Sequence, residues 1–591
     1  MILQSLHEYY QRKRDSLPGD GIERKGLPFL FVLKPDGEFL HIEDTRQGDG
    51  KRKRGNTFLV PQGVKKSHNV EANLLWGNVE YVLGQPDPKK LEDQRKKGKE
   101  KHYRERLGNM HSAFRTKIDQ LPSAARSTPE IAAALAFLAS GHFTPVLADP
   151  LWSQVCSTGA NVSFKLAGEE NPVCSAAGIL ASVGNPSKGK AALGICLITG
   201  NSDVVERLHP PIRGVWDAQT SGANIVSFNL PAFNSFGREQ GSNAPIGKHA
   251  AFAYTTALNH LLVSDQRIQV GDASTVFWAA SDSRMESLLS QFFDEPPQDN
   301  PDQGTNAIKE LLEAPLAGTP AIYDDGTRFY VLGLAPNAAR IAIRFWHVAT
   351  VGELAEHIRQ HFEDLEIVRP QYVERPFLSI KALLIAVSPL GDIDKLPPKL
   401  AGDFMKAILD GASYPQTLLQ AALRRIHAEQ AKKDEKGRPK EHVTYARASL
   451  IKAWLNRLTH NTGQNEEITV SLDENNINIG YRLGRLFAVL EKVQADANPG
   501  LNTTIRDSYF GSASSTPSAV FPTLMRRNQH HMTKLRKEKP GLYITRDKLI
   551  QTICNDGIDG QLGFTPILSL ADQGRFVIGY YQQRQDLFTK S

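Results

Sequence analysis

The sequence predicts an α+β protein, with a mixed α/β N-terminal region and a C-terminal all-α helical bundle. Three observations carry that expectation. Short apolar runs bounded by turn residues fill the first 85 residues and recur to about residue 350. From Gly352 onward the apolar spacing changes to the 3.6-residue helical period. Charge also divides along the chain, with a basic start, an acidic middle and a basic end.

The elements follow in order. Leu27–Leu33 is an apolar strand, Lys34-Pro35-Asp36-Gly37 a turn, and Glu38–Ile42 the returning strand of a hairpin. Residues 89–106 carry nine basic and four acidic residues and run into Leu107–Leu121, which reads as one long helix with a charged face. Pro129–Ala139 starts a second helix with proline in its first turn. Ala191–Thr199 reads as a buried strand and Thr220–Gly247 as loops rich in Gly, Asn and Ser. Ala250–Val263 has helical spacing, Thr275–Ala280 and Arg340–His347 read as strands, and Asp294–Gly304 as an exposed loop. Ala321–Leu332 reads as a hairpin turning at Asp325-Gly326, which also accounts for Asp324 and Asp325. Helices are expected over Val351–Glu363, Phe377–Ala386, Thr417–Lys432, Tyr445–Leu458, Ile479–Val493 and Phe521–Lys537. Gly574–Tyr581 reads as a short strand or extended tail. The resulting organisation is a basic α/β segment at 1–127, an acidic strand-and-loop region of the same large domain at 128–350, a helical connector at 351–403, and a basic helical bundle at 404–591.

Composition narrows the class. With 591 residues, 40% hydrophobic and 23% charged, the chain suits two to four globular domains and not a disordered, collagenous or disulfide-framed protein. Its net +6 conceals +8 over 1–127, −10 over 128–403 and +8 over 404–591. Basic ends suit polyanions, and an acidic middle suits something else. No secretory signal and no membrane-length apolar run is visible, so the expected location is cytoplasmic with no membrane partner. Four cysteines, none spaced as a metal pair, read as buried thiols.

The search for catalysis yields little. Gly184–Lys190 satisfies G-x-x-x-x-G-K, but Ala191 stands where Ser or Thr would hold magnesium, and a strand follows instead of a helix. His530-His531 points to two helix faces and is no i, i+4 ligand pair, and His209 in His-Pro-Pro is a turn residue. Neither G-x-S-x-G nor H-E-x-x-H occurs. The expectation is a protein that is not an enzyme, with no catalytic residues, metal or cofactor.

Nucleic-acid chemistry is better represented. Lys51, Arg52, Lys53 and Arg54 form a basic cluster flanked by glycines, and Lys65 and Lys66 sit near Asn69 and Asn73. The 89–106 stretch adds Lys96, Lys97 and Lys99 among its cations. Clustered Lys and Arg neutralise phosphates and release counterions. A solvated helix face is the competing explanation for each run taken singly. The C-terminal helices add Arg482, Arg485, Arg526 and Arg527 among others. Gln219, Asn224, Arg238, Gln240 and Asn243 lie in glycine-rich loops, where amides can read base edges and backbone can approach a groove. Loops also contain such residues for turn formation alone.

Long blocks, in constant order, carry a family resemblance. They are Val60-Pro-Gln-Gly-Val-Lys-Lys with Asn73-Leu-Leu and Tyr81-Val-Leu-Gly; Cys196-Leu-Ile-Thr-Gly; Leu208-His-Pro-Pro-Ile-Arg-Gly-Val; and Asn224-Ile-Val-Ser-Phe-Asn-Leu-Pro-Ala-Phe-Asn-Ser-Phe-Gly-Arg-Glu-Gln-Gly-Ser-Asn-Ala-Pro. Ala253-Tyr-Thr-Thr-Ala-Leu-Asn, Thr275-Val-Phe-Trp-Ala, Leu332-Gly-Leu-Ala-Pro-Asn-Ala-Ala-Arg, Gly480-Tyr-Arg-Leu-Gly-Arg-Leu-Phe-Ala, Ala513-Ser-Ser-Thr-Pro and Gly579-Tyr-Tyr-Gln-Gln-Arg-Gln continue the series. The chain resembles the large subunit of the type I-C CRISPR surveillance complex, Cascade. The resemblance implies a non-catalytic subunit of an RNA-guided antiviral complex. It would recognise the motif beside the DNA target (PAM recognition), help open the duplex into an R-loop, hold the displaced strand and recruit the helicase-nuclease. Implied partners are the guide CRISPR RNA, the double-stranded target, the displaced strand, the backbone, RNA-processing and small Cascade subunits, and the helicase-nuclease. The C-terminal bundle would resemble the small subunit, which related genes also make by internal translation; Met405 is one conceivable start, and Val or Leu codons are others. On this reading Lys51–Arg54 and the 89–106 face hold duplex phosphates. Lys65, Lys66, Asn73, Gln219 and the Gly237–Asn243 loop approach the motif, and the C-terminal cations track the displaced strand. The rival readings are a DNA-processing enzyme, either nuclease or nucleotide-dependent, and a scaffold that touches only proteins.

Overall fold

The computed structural model describes residues 2–48, 53–64, 70–183, 193–295, 302–313, 325–338, 340–435, 437, 440–463, 467–501, 503–555 and 563–589. The fold is α+β. The chain forms two units, one of residues 1–212 with 224–260 and the other of 213–223 with 261–591.

The first unit opens with the helix Ile2–Arg12, whose Leu6, Tyr9 and Tyr10 are buried. Ten strands follow among its described residues: β1 (Ile22–Gly26), β2 (Phe29–Leu33), β3 (Phe39–Asp44), β4 (Arg46–Gln47), β5 (Arg54–Gly55), β6 (Thr57–Pro61), β7 (Trp76–Gly77), β8 (Val162–Leu166), β9 (Leu193–Ile195) and β10 (Ser202–Val204). A four-stranded sheet runs β3-β2-β8-β7, with β2 and β8 parallel and the other pairs antiparallel. All five residues of β2, Phe-Leu-Phe-Val-Leu, are buried, which is why this strand is continuously apolar. The expected turn closes β2 onto β3, with Lys34 and Glu38 bonded through their backbones and Gly37 at φ +89°. β1 pairs with β6, β4 with β5 and β9 with β10, all antiparallel.

Two sequence expectations change here. The charged stretch is two helices, Pro88–Lys96 and Glu100–Asp119, because Gly98 adopts φ +66° and breaks the run. β9 is no buried strand: Leu193 and Ile195 are largely exposed. The Gly184–Lys190 near-match lies outside the described residues.

The second unit is built on an antiparallel sheet in sequential order, β11 (Arg267–Val270), β12 (Ala273–Ala279), β13 (Arg328–Asn337) and β14 (Arg340–Thr350). The Asp325-Gly326 turn is not the centre of this hairpin. β13 begins at Arg328 and turns after Asn337, while the Asp325 carboxylate accepts from the Thr327 N–H at 2.8 Å. Helices then pack with the sheet in one hydrophobic core reaching Leu587. Thr350 and Glu353 cap each other's backbone at the start of the helix Val351–Leu365. Further helices are Leu400–Leu409, Gln416–Glu429, Tyr445–Thr462, Ile479–Ala497, Ile505–Ser515, Pro517–Glu538 and Pro540–Asn555. The expected C-terminal strand is instead the helix Leu570–Thr589.

Two histidines buried in this core give the fold a pH response. Burial, with Arg457 beside it, holds His361 far below the ordinary imidazole range; its Nδ1 lies 2.6 Å from the Tyr414 hydroxyl. Burial, with Arg506, Arg584 and Arg447 nearby, does the same to His442, whose ring nitrogens meet no hydrogen-bond partner among the described residues. The folded pKa lies below the unfolded one, so the unfolded chain takes up protons first as pH falls. The stabilising contribution is complete above about pH 6.5 and declines below it by about 1.4 kcal/mol per pH unit for each histidine. Denaturation at pH 7.5, 6.5 and 5.5 should show this acid loss, and His442→Phe should reduce the slope by about 1.4 kcal/mol per unit. An unchanged slope would count against His442 as a contributor.

Candidate nucleic-acid interface

In the first unit, one loop is both rigid and exposed. It grows from an internal scaffold around the His209-Pro210-Pro211 block. Asn224 is buried, and its Nδ2 donates to the carbonyls of His209 at 3.0 Å and Pro210 at 3.1 Å. The helix Lys248–Leu261 supplies Tyr254, whose hydroxyl lies 2.6 Å from His209 Nδ1, and Asn259, which donates to the Pro211 carbonyl. Burial raises the pKa of Tyr254 and keeps the phenol neutral. Onto this base the Gly241 N–H bonds to the Arg207 carbonyl at 3.0 Å. A Cβ at Gly241 would lie 2.0 Å from the Glu206 carbonyl oxygen, so only glycine fits there.

The loop tip is then locked by Asn243. Its Oδ1 accepts from the Ser235 N–H at 3.0 Å, and its Nδ2 donates to the carbonyls of Arg238 and Gln240, each at 3.1 Å. Ser235 and Arg238 form an isolated antiparallel bridge. Between them Phe236 and Gly237 both have positive φ, +51° and +68°. Such angles at both central positions are those of a hairpin turn that favours glycine and asparagine; phenylalanine there is strained. Phe236 is 96% exposed at this tip, and Arg238 is exposed beside it. Gln240 is half-buried with φ +49°. Sequence reading selected Arg238, Gln240 and Asn243 here but missed Phe236. The available signal was an aromatic residue inside Asn-Ser-Phe-Gly, a context of turn formers.

The remaining expected contacts fall elsewhere. Lys53 and Arg54 are exposed at the β4–β5 ribbon. Lys51, Arg52, Lys65, Lys66 and Asn69 lie outside the described residues. Asn73 is buried, and its Oδ1 accepts from the Val64 N–H at 2.9 Å. Glu23 accepts from the Gly63 N–H, and Trp76 donates to the Pro61 carbonyl. Asn73 thus helps fix the chain entering residue 65 and presents no free acceptor edge in this conformation. In the 89–106 stretch, much of the charge is internally paired. Lys96 meets Glu92 and Lys97 meets Asp93, both at 2.7 Å, and Arg95 and Arg104 share Glu100. These exposed pairs are screened by solvent and weak, so a phosphate can displace them. Lys99 is exposed and forms no ion pair among the described residues.

In the second unit, Gln219 is exposed, three residues after an exposed Trp216. Arg482 and Arg485 are buried. Arg482 Nε donates to the Asn476 carbonyl, while Arg485 donates to Gln583 Oε1 and the Glu474 carbonyl. Both brace the bundle instead of forming a surface track. Arg526 and Arg527 are exposed on the helix Pro517–Glu538, with Lys534, Arg536 and Lys537 farther along it.

Among the described residues no three His, Cys, Asp or Glu side chains gather as metal ligands, and the four cysteines are buried and in no disulfide. No helix among them is long and apolar enough to cross a membrane. A search of curated proteins finds no match to the chain. The family model of the CRISPR-associated protein Cas_Csd1 matches residues 6–588. With a match over nearly its whole length, running through both units and the locked Phe236 loop, the chain belongs to the Cas_Csd1 family of CRISPR-associated proteins.

Proposed function

We propose that this CRISPR-associated protein is the non-catalytic large subunit of a type I-C Cascade. In that role guide pairing reads the target sequence, while the protein reads a short adjacent motif and the backbone. It opens the duplex beside the motif, holds the displaced strand and recruits the helicase-nuclease, in company with guide RNA and the other Cascade subunits.

The observation that most supports this reading is the loop locked by Asn243. It offers an aromatic ring and a guanidinium on a rigid tip, with no folding role for the ring. An exposed aromatic held at a strained turn suits stacking on a base at the point where a duplex parts. Arg238 suits the neighbouring phosphate or a guanine edge. Exposed Lys53, Arg54 and Lys99 supply phosphate contacts, which hold the duplex without reading it.

Phe236→Ala tests the proposal in the assembled complex. Base stacking on an aromatic is worth about 1–3 kcal/mol, so target opening should fall about tenfold or more. Folding should change by less than about 0.5 kcal/mol, because the ring is exposed. Permanganate footprinting of the base pairs next to the motif measures opening directly. Wild-type opening by F236A would remove the loop from this role.

A further inference from the structure

Within the second unit a cleft of about 320 Å³ opens between the helices Ile479–Ala497, Ile505–Ser515 and Pro517–Glu538. Leu490 and Leu524 give it an apolar wall, and Arg527, His530 and His531 give it a basic rim. Asn528 also lines it. That side chain is only 6% exposed, and among the described residues its Oδ1 meets no hydrogen-bond donor. A buried acceptor left unpaired is costly, and a ligand N–H that reaches it removes that cost.

The rim has a regular origin. Arg527, His530, His531 and Lys534 follow the i, i+3, i+4, i+7 spacing of one helix face. Lys534 donates to the neutral Asn498 Oδ1 at 3.1 Å, which leaves its charge uncancelled. The Arg527 guanidinium lies over the Tyr509 ring, 5.4 Å from its centre. Carboxylates on the flanking helices are engaged elsewhere. Glu491 accepts from the Thr504 and Tyr580 hydroxyls, and Asp507 pairs with Arg506. The cleft therefore combines the Arg527 guanidinium, two imidazoles, an apolar wall and a buried acceptor. Its volume is at the small end of ligand sites, about 300–1,000 Å³, which suits one nucleotide and not a duplex.

We propose that this cleft binds a single adenine nucleotide, with its phosphate on the Arg527–His530 rim and its amino group on Asn528 Oδ1. An asparagine amide matches the N6/N7 edge of adenine, and thymine has no amino group to offer Oδ1. A free nucleotide and an unpaired adenine in a single strand present the same chemistry. The strand-borne form rests on the function proposed above; the free form does not.

Full-length chain, titrated with fluorescein-labelled dA12 and dT12 at several salt concentrations and with AMP as competitor, tests this. The wild type should bind dA12 about tenfold more tightly than dT12, the scale of one good amide–base pairing. Asn528→Leu should erase that preference and leave the salt dependence unchanged. The double variant R527A/H530A should weaken both strands and flatten the salt slope. Competition by AMP that N528L abolishes assigns the site to free nucleotide; inert AMP with the preference intact assigns it to a strand. Equal binding of dA12 and dT12 with inert AMP, or a preference that survives N528L, would overturn the proposal. If N528L does not fold, His530→Glu on the rim serves instead, and unchanged binding of both AMP and dA12 would overturn it. Salt-dependent binding without base preference would remove only this cleft and leave the proposed function standing. That function is tested separately by the F236A footprint.

Discussion

Gly484→Ala is expected to destabilise the second unit by about 2–3 kcal/mol, although alanine is the better helix former. The helices Ile479–Ala497 and Leu570–Thr589 cross with their backbones nearly touching. A Cβ on Gly484 would lie 2.0 Å from the Phe576 carbonyl oxygen, and one on Gly579 would lie 2.1 Å from that of Tyr481. At Gly480 the Asp572 carbonyl oxygen would be 2.4 Å away. All three obstacles are backbone, so no side-chain rotation relieves them. The helices must separate, and Phe576, Tyr580 and Phe487, which pack around the crossing, lose contact. Overpacking costs about 1–3 kcal/mol and occasionally more; this site belongs at or above that upper end. Helix propensity returns about 1 kcal/mol. Gly484→Val should cost more still. Gly541 is the control: its Cβ would meet nothing within 4 Å, so Gly541→Ala should leave stability unchanged or slightly raised. Chemical denaturation of the three proteins decides it. G484A matching G541A would show that the helices do not approach this closely.

The same crossing shows where sequence reading stops. Phe-Val-Ile-Gly-Tyr-Tyr has strand propensity, and nothing local to it says helix. Helicity there comes from partners about a hundred residues earlier, the glycines of Gly480-Tyr-Arg-Leu-Gly484, which local patterns do not connect. Val351–Leu365 was legible because its amphipathic period and its Thr350–Glu353 cap both lie within the segment. β2 was legible because a five-residue apolar run between turns has few other uses. Gly98 was a local signal too, an isolated glycine in a helical pattern.

The candidate site was legible by residue type and not by direction. Arg526 and Arg485 look alike in sequence, yet one faces solvent and the other donates to Gln583 in the core. Asn243, Asn224 and Asn73 were selected as amides that could read bases; the structure uses all three to hold backbone in place. Charge counting also overlooked the i, i+4 spacing that pairs Lys96 with Glu92 and Lys97 with Asp93. What counting cannot reveal is a hydrophobic residue that folding leaves outside, and Phe236 is that residue.

Asp364→Leu is expected to cost about 3–5 kcal/mol, the largest loss from any single side chain considered. Asp364 and Arg457 are 3% and 2% exposed, with Arg457 Nε donating to Oδ2 at 2.9 Å. Arg457 Nη1 also donates to the carbonyls of Ala407 at 3.1 Å and Ala412 at 3.0 Å, and its guanidinium lies 4.6 Å from the Tyr414 ring centre. One cation thereby ties the helices Val351–Leu365, Leu400–Leu409 and Tyr445–Thr462 together. Lys452 adds a second cation nearby, donating to the Asp364 carbonyl at 3.1 Å. Removing the carboxylate leaves Arg457 charged and buried, because a guanidinium does not surrender its proton at any workable pH. Water must then enter the core, or the helices must part. Asp364→Asn retains an acceptor of the same shape and loses only the charge, so it should cost clearly less than leucine. Pairing D364L with Arg457→Leu removes the stranded charge but orphans the Ala407 and Ala412 carbonyls, so the double variant should recover only part of the loss. Denaturation of the three variants against wild type measures each step. Equal stability of D364N and wild type would mean that the charge on Asp364 contributes nothing to holding this junction.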